Sequence, residues 1–260
     1  RDPDLMTNIL SDMNYVFHLA SLIAIPYSYL SPRSYIQTNI DGSHNVFNAC
    51  IKAKNLNKII DMSTSEVYGT AQYIPIDEKH PIVAQSPYSA SKISADKLAE
   101  SYFYSFGLPV TIARPFNTYG PRQSARAIIP TILSQLFYNK TSVKLGNTAP
   151  IRDFNYVTDT VFALYELMFM ENGFGEVFNV GTGKGNSILD IVKIMSKHIG
   201  YDIKIIADKQ RRRPDGSEVD KLVADDTKIK KHTNWSSKIE FEQGLLKTYE
   251  WVKKNINHFK

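Results

Sequence analysis

Two short stretches carry side chains suited to moving protons. Tyr88-Ser89-Ala90-Ser91-Lys92 sets a phenol and an ammonium four residues apart, and Thr64-Ser65-Glu66 sets two hydroxyls and a carboxylate in a row. Pro87 opens the first stretch as a helix, so Tyr88 and Lys92 fall one turn apart on one face. An ammonium beside a phenol stabilises the phenolate and lowers a pKa that starts near about 10, making the phenol a usable base closer to neutral pH. Tyr-x-x-x-Lys alone arises by chance in many helices as an exposed pair. Thr64 gives it weight, because it ends an apolar run 24 residues before Tyr88 and both can reach one crevice. Glu66, two residues beyond Thr64, falls on the same side of an extended backbone, where it could take a second proton.

Other candidate chemistry is thin. The single Cys50 rules out a disulfide framework and a cysteine-based zinc site, and the six histidines show no ligand spacing, so no metal is assigned. Gly181-Thr182-Gly183-Lys184-Gly185 fits neither G-x-x-x-x-G-K-[ST] nor G-x-G-x-x-G. It reads as a strand-to-helix turn, with Asn186 or Ser187 as the helix cap.

The elements that must position these groups alternate. "YVFHLA" (15–20), "KIIDMST" (58–64) and "PVTIARPFN" (109–117) read as short buried strands, and 42–55 and 88–106 as helices between them. Helices over about 127–139, 158–170, 188–199 and 241–255, strands at "EVFNVG" (176–181) and "YDIKIIAD" (201–208), and a turn at Lys144-Leu145-Gly146 complete the chain. Such alternation argues for an α/β fold with a doubly wound parallel sheet, whose functional residues sit at the carboxyl ends of the strands.

At 260 residues, 43% apolar and 22% charged, the composition is that of an ordinary globular protein. The net charge of +5, with one basic cluster at Lys209 to Arg213, suits a small phosphorylated ligand at least as well as a nucleic acid, and no nucleic-acid partner is expected. No long apolar span or signal peptide is in view, so a cytoplasmic protein without membrane contact is expected.

"HLA", "STSEVYG", "YSASK" and "RPFNTYGPRQ", in that order, together with "RDFNYVTDT", "FNVGTG" and "RRRPDGSE", resemble the extended short-chain dehydrogenase/reductase family of NAD-dependent nucleotide-sugar epimerases and dehydratases. The resemblance covers nearly the whole chain. It implies a Rossmann-like NAD-binding half (1–116 and 148–175) and a smaller nucleotide-sugar-binding half (117–147 and 176–260). Tyr88 and Lys92 match the catalytic pair, with Lys92 also on the nicotinamide ribose, and Thr64 matches the hydroxyl that orients the sugar's 4-hydroxyl. His18, Leu19, Ala20 and Ser21 match the cofactor-lining loop, where Ser21 replaces the more usual Ala. Met62 and Ser63 match the strand end on the cofactor, and Pro115, Phe116 and Asn117 the segment beside the nicotinamide, Asn117 also touching the substrate diphosphate. Arg122 and Arg152 match positions near that diphosphate, Lys144 and Leu145 positions near the base, and Arg213, with Arg212 as the alternative, the phosphate-binding Arg. The family also implies a homodimer through the helices near 42–55 and 88–106, so Tyr102, Phe103, Tyr104 and Phe106 read as core or dimer packing rather than a stacking surface for bases. Members begin with a strand and a Gly-rich loop that are absent before residue 15, so about 55 to 60 residues, including the N-terminal strands, are expected to be missing.

Oxidation at carbon 4 with Tyr88 as base makes the carbon-5 hydrogen acidic, and Glu66 would remove it while the carbon-6 hydroxyl leaves as water. Members that only epimerise at carbon 4 usually lack this Glu. The dTDP-glucose dehydratases usually read Thr-Asp-Glu, so Ser65 takes the general-acid position and leaves that role open. Among family members the resemblance is greatest to dehydratases of nucleotide-linked N-acetylglucosamine in the legionaminic acid pathway, with a UDP- or GDP-sugar as expected substrate. UDP-glucuronate decarboxylase, 4-epimerase and a non-catalytic sugar-nucleotide binder stay open.

Overall fold

The computed structural model describes residues 1–208 and 213–259. In chain order it contains α1 (Pro3–Leu10), β1 (Tyr15–His18), α2 (Ile25–Leu30), α3 (Pro32–Tyr35), a π-helical turn (Ile36–Asp41), α4 (Gly42–Lys52), β2 (Lys58–Met62), a 3₁₀ turn (Ser65–Tyr68), α5 (Pro87–Phe106), β3 (Val110–Pro115) and β4 (Asn117–Tyr119). There follow α6 (Ile128–Tyr138), β5 (Ser142–Leu145), β6 (Ile151–Tyr156), α7 (Val157–Phe169), β7 (Val177–Val180), β8 (Gly185–Ser187), α8 (Ile188–Ile199), β9 (Lys204–Ala207), β10 (Lys221–Leu222), α9 (Thr227–His232) and α10 (Phe241–Lys254).

Four parallel strands in the order β1-β2-β3-β7 form the first sheet. Side chains alternate across it. Ile59 and Ile112 face α4 and α5, packing with Val46, Phe47, Ala99 and Tyr102. Ile60 and Ala113 face the opposite way, packing with Ala163 and Leu167 of α7 and with Trp235. β2 is buried on both faces, with Lys58 and Asp61 buried alongside Ile59 and Ile60, as in a parallel sheet covered on both sides. The arrangement is the Rossmann-like α/β fold expected.

A second sheet, β10-β6-β4, carries β8 antiparallel on β6, and β5 pairs with β9 alone. α6, α8 and α10 close over this half in a separate cluster that includes Tyr119, Leu133, Phe154, Ile191 and Leu245. β7, expected in the sugar-binding half, is an edge strand of the first sheet, and β6, expected in the NAD-binding half, lies in the second sheet. Lys144 and Leu145 lie in β5 rather than in a turn, because Leu145 is core and the strand is held by β9. The two sheets are spliced by the chain itself, since β3 runs into β4 through the single buried residue Phe116.

Candidate active site

Thr64 leaves β2 with extended dihedrals, and its hydroxyl accepts the Glu66 N–H at 3.3 Å, capping the 3₁₀ turn that follows. The backbone beyond Thr64 is therefore turned, not extended, and Glu66 reaches the crevice by a different route from the one expected. Ser65 is buried in the same turn. Gly69 ends it at φ 63°, where a Cβ would stand 2.6 Å from the Gln85 amide oxygen and 2.9 Å from the Val83 carbonyl.

Tyr88 enters from the first turn of α5. Ser86 caps that helix by accepting the Ser89 N–H at 3.0 Å, Ser89 returns the bond at 3.2 Å, and Pro87 fits the first helical position. Tyr88 is 6% exposed, edge-on to Tyr35. Burial drives its phenol well above the ordinary tyrosine range; the Thr64 hydroxyl opposes the shift, and the charges of Glu66 and Asp96 add to it. The expectation of a lowered Tyr88 pKa is thus corrected, because burial outweighs the neighbouring charges. The Lys92 charge is felt at His18, Asp61 and Asp96.

Glu66 and Arg213 meet, Nη1 to Oε2 at 3.7 Å, both partly buried. Arg152, on β6, is buried behind them, donating to the carbonyls of Ile151 at 3.0 Å and Asp220 at 3.5 Å and lying 3.9 Å from Glu218. Burial lowers its pKa, while the Glu66 charge raises it and that of Arg213 lowers it, so the three charges act on one another. A carboxylate flanked by two guanidiniums can serve a diphosphate and a proton transfer side by side. Arg211 and Arg212 of the basic cluster lie outside the described residues. Asn117 opens β4 with its side-chain oxygen buried and without a hydrogen-bond partner among the described residues.

Three further expected residues follow β4 in the chain. Arg122 is exposed at φ 68°, and the loop cation felt at Tyr35 is Arg126. Lys144 is exposed with its backbone paired to Gln135, and Leu145 is buried in the second core.

The loop after β1 lies across the strand ends from Thr64. His18 is buried, with Nε2 2.9 Å from Ser43 Oγ. Because Ser43 gives its own proton to the Asn39 carbonyl, His18 Nε2 is the donor. Leu19 and Ala20 are exposed and Ser21 half-buried, leaving open a surface that also includes half-buried Met62 and Pro115. Ser63 Oγ is buried and faces the Asp96 carboxylate, which it stabilises. The unpartnered Asn117 oxygen and the buried Lys92 side chain suit a polar cofactor laid along the strand ends.

Sequence reasoning missed Asn39. It sits on the π-helical turn, fully buried, taking the Leu22 N–H at 2.8 Å and donating to the Leu22 carbonyl at 3.0 Å and to Ser91 Oγ at 2.9 Å. It thereby ties the loop after β1 to the helix of Tyr88 and Lys92. One Asn in helical text carries no signal beyond its polarity at a buried position. The turn at Gly181 is explained by Asp153, whose buried carboxylate accepts the N–H groups of Thr182, Gly183 and Ala224. Ser187 caps α8 as expected.

A profile of the GDP-mannose 4,6 dehydratase family matches residues 1–248. The chain is 28% identical to a trifunctional UDP-glucose 4,6-dehydratase/3,5-epimerase/reductase of Arabidopsis thaliana, over 95% of this chain but 37% of that protein's length. It is 30% identical to the dTDP-D-glucose 4,6-dehydratase of Mus musculus, over 95% of this chain and 70% of that one. Among solved structures, UDP-glucuronic acid 4-epimerase from Bacillus cereus, in complex with UDP-glucuronic acid and NAD, superposes with a TM-score of 0.90 at 27% identity, over 98% of this chain and 81% of that one. The NAD-dependent NDP-hexosamine 5,6-dehydratase of tunicamycin biosynthesis gives 0.87 at 29% identity, over 96% and 80%. Fold, strand-end site and profile agree, and the chain belongs to the GDP-mannose 4,6 dehydratase family.

Proposed function

We propose that this protein is an NAD-dependent nucleotide-sugar 4,6-dehydratase, acting on a UDP- or GDP-linked N-acetylglucosamine and yielding the 4-keto-6-deoxy sugar. The observation that carries the reading is Glu66, a carboxylate held beside the Tyr88 phenol and against Arg213. One base suffices to oxidise carbon 4; a second, near the first, is what elimination at carbons 5 and 6 requires. When bound, NAD supplies a hydride acceptor for carbon 4 and a hydride donor for carbon 6. Thr64 orients the 4-hydroxyl and Tyr88 takes its proton. Glu66 takes the carbon-5 proton and yields it to the carbon-6 hydroxyl, which leaves as water with the help of Ser65, and the proton held by Tyr88 goes to carbon 5 as hydride enters carbon 6. Arg152 and Arg213 hold the diphosphate. The NDP-hexosamine dehydratase among the solved structures supports an amino sugar as substrate, and the family resemblance supports the legionaminic acid route, a cytoplasmic setting and a homodimer through α4 and α5.

The likeness to UDP-glucuronic acid 4-epimerase favours, as a second reading, inversion at carbon 4. A product assay by mass spectrometry separates the two. With NAD present, UDP- and GDP-N-acetylglucosamine, dTDP-glucose, GDP-mannose and UDP-glucuronate are offered in turn. Loss of one water from an N-acetylglucosamine nucleotide is the expected result. Loss of carbon dioxide from the glucuronate, or an epimer of unchanged mass, would displace the dehydratase reading.

A further inference from the structure

Glu66 and Arg213 meet although no hydrogen bond joins them. Arg213 Nη1 lies 3.7 Å from Glu66 Oε2, too far for a hydrogen bond, and that nitrogen is buried without a hydrogen-bond partner among the described residues. The place of the guanidinium therefore depends on how its own segment, 213–218, is held. Gln85 holds it.

Gln85 immediately precedes Ser86, the cap of α5, and so stands at the entry to the Tyr88 helix. Its side-chain oxygen accepts the Thr70 N–H at 2.5 Å, just past the turn that carries Glu66. Its side-chain nitrogen donates to the carbonyls of Gly216 at 3.4 Å and Glu218 at 3.3 Å. Its backbone carbonyl accepts the Ser217 hydroxyl at 2.5 Å. Because that bond uses the single Ser217 hydroxyl proton, Tyr29 is the donor in its own contact with Ser217 Oγ, which adds α2 to the join. Thr70 strengthens the same seam through its hydroxyl, giving its proton to the Glu218 carbonyl and taking the Asp220 N–H, both at 3.4 Å. One residue thus ties together the Glu66 turn, the start of the Tyr88 helix and the Arg213 segment, with the donor and acceptor ends of its amide both in use.

We propose that Gln85 is a positioning residue: its amide clamps the 213–218 segment to the Glu66 turn and so holds Arg213 where the diphosphate of the nucleotide sugar binds. An apolar side chain in its place would leave Arg213 its charge but not its position. The clamp rests on geometry alone; the diphosphate rests on the proposed function.

Amide exchange in the protein without ligand tests the clamp. In Gln85→Met, which keeps the length of the side chain and removes its amide, the Ser217 and Asp220 N–H groups should exchange at least about tenfold faster, while those of Ile112 and Ala113 in β3 keep their rates. Unchanged exchange at Ser217 and Asp220 would overturn the proposal. Calorimetry with UDP and with GDP tests what the clamp is for. Gln85→Met should weaken the nucleotide that the parent protein binds by about tenfold, yet by less than about twofold in an Arg213→Met background, since the arginine it positions is gone. Losses that multiply in full in the double variant would show that Gln85 does not act through Arg213, and would equally overturn it. If Gln85→Met does not fold, Ser217→Ala frees the same segment from the Gln85 carbonyl and is read by the same two measurements. A protein that binds neither nucleotide removes the functional reading and leaves amide exchange to decide the clamp.

Discussion

At the scale of single residues, the proposed reaction divides two proton transfers between Tyr88 and Glu66, whose surroundings differ. Tyr88 is so deeply buried that its phenol stays protonated at neutral pH until something stabilises the anion. Tyr88→Phe removes the base without emptying its space, so kcat should fall by about 10² or more while nucleotide-sugar binding, measured by calorimetry, is retained. Glu66→Gln should stop the reaction later. Reduced nicotinamide would accumulate on substrate addition, seen by its absorbance, with little 4-keto-6-deoxy product; a normal yield of product would remove Glu66 from the mechanism. Arg152→Met strips a guanidinium that two carbonyls hold in place, and should raise KM at least about tenfold with a smaller effect on kcat, as expected of a group that binds substrate and transition state alike.

At the scale of elements, what was legible in the sequence follows from burial. β2, β3 and β7 are largely buried on both faces, β1 buries Val16 and His18 on one, and α5 begins at Ser86-Pro87 and ends at Gly107, so these elements are legible close to their observed bounds. β6 escaped notice because its inward residues Arg152, Asp153 and Asn155 are polar. Asp153 is satisfied by bonds to Thr182, Gly183 and Ala224 that no local pattern records. The backbone at Glu66 turns where an extended strand was expected, since nothing in Thr-Ser-Glu separates an extended strand from a 3₁₀ turn. The helices between Ile25 and Asp41 are short, Pro-punctuated and interrupted by the π turn, which blurs the helical period. That turn presents Asn39 to Leu22 and Ser91. Asp153 does comparable work for the Gly181 turn. Asp153→Ala would leave three N–H groups without their acceptor, and denaturant unfolding should show a loss of about 3 kcal/mol or more.

At the scale of the whole molecule, pH acts on the buried groups in opposite senses. The folded His18 pKa drops from the usual 6.5 to about 4, because of burial first and Lys92 second. Between those values the unfolded chain takes up the proton and the folded one does not, so this contribution is present above about 6.5 and is lost as pH falls toward about 4. Asp61 and Asp96, raised by burial, keep their protons longer when folded, and their contribution is lost as pH rises. The difference between the parent protein and His18→Gln isolates the first effect. Denaturation curves should show the variant losing about 3 kcal/mol less over that acid interval.

The splice at Phe116 has a thermodynamic consequence. One unbroken segment, Val110 to Tyr119, supplies a strand to each sheet, so neither half can melt without pulling a strand from the other. Calorimetry should record a single endotherm with matching calorimetric and van't Hoff enthalpies. A sugar nucleotide gripped by Arg152 in the second sheet should then slow amide exchange along β2 in the first, a communication that needs no change of shape, only shared cooperativity.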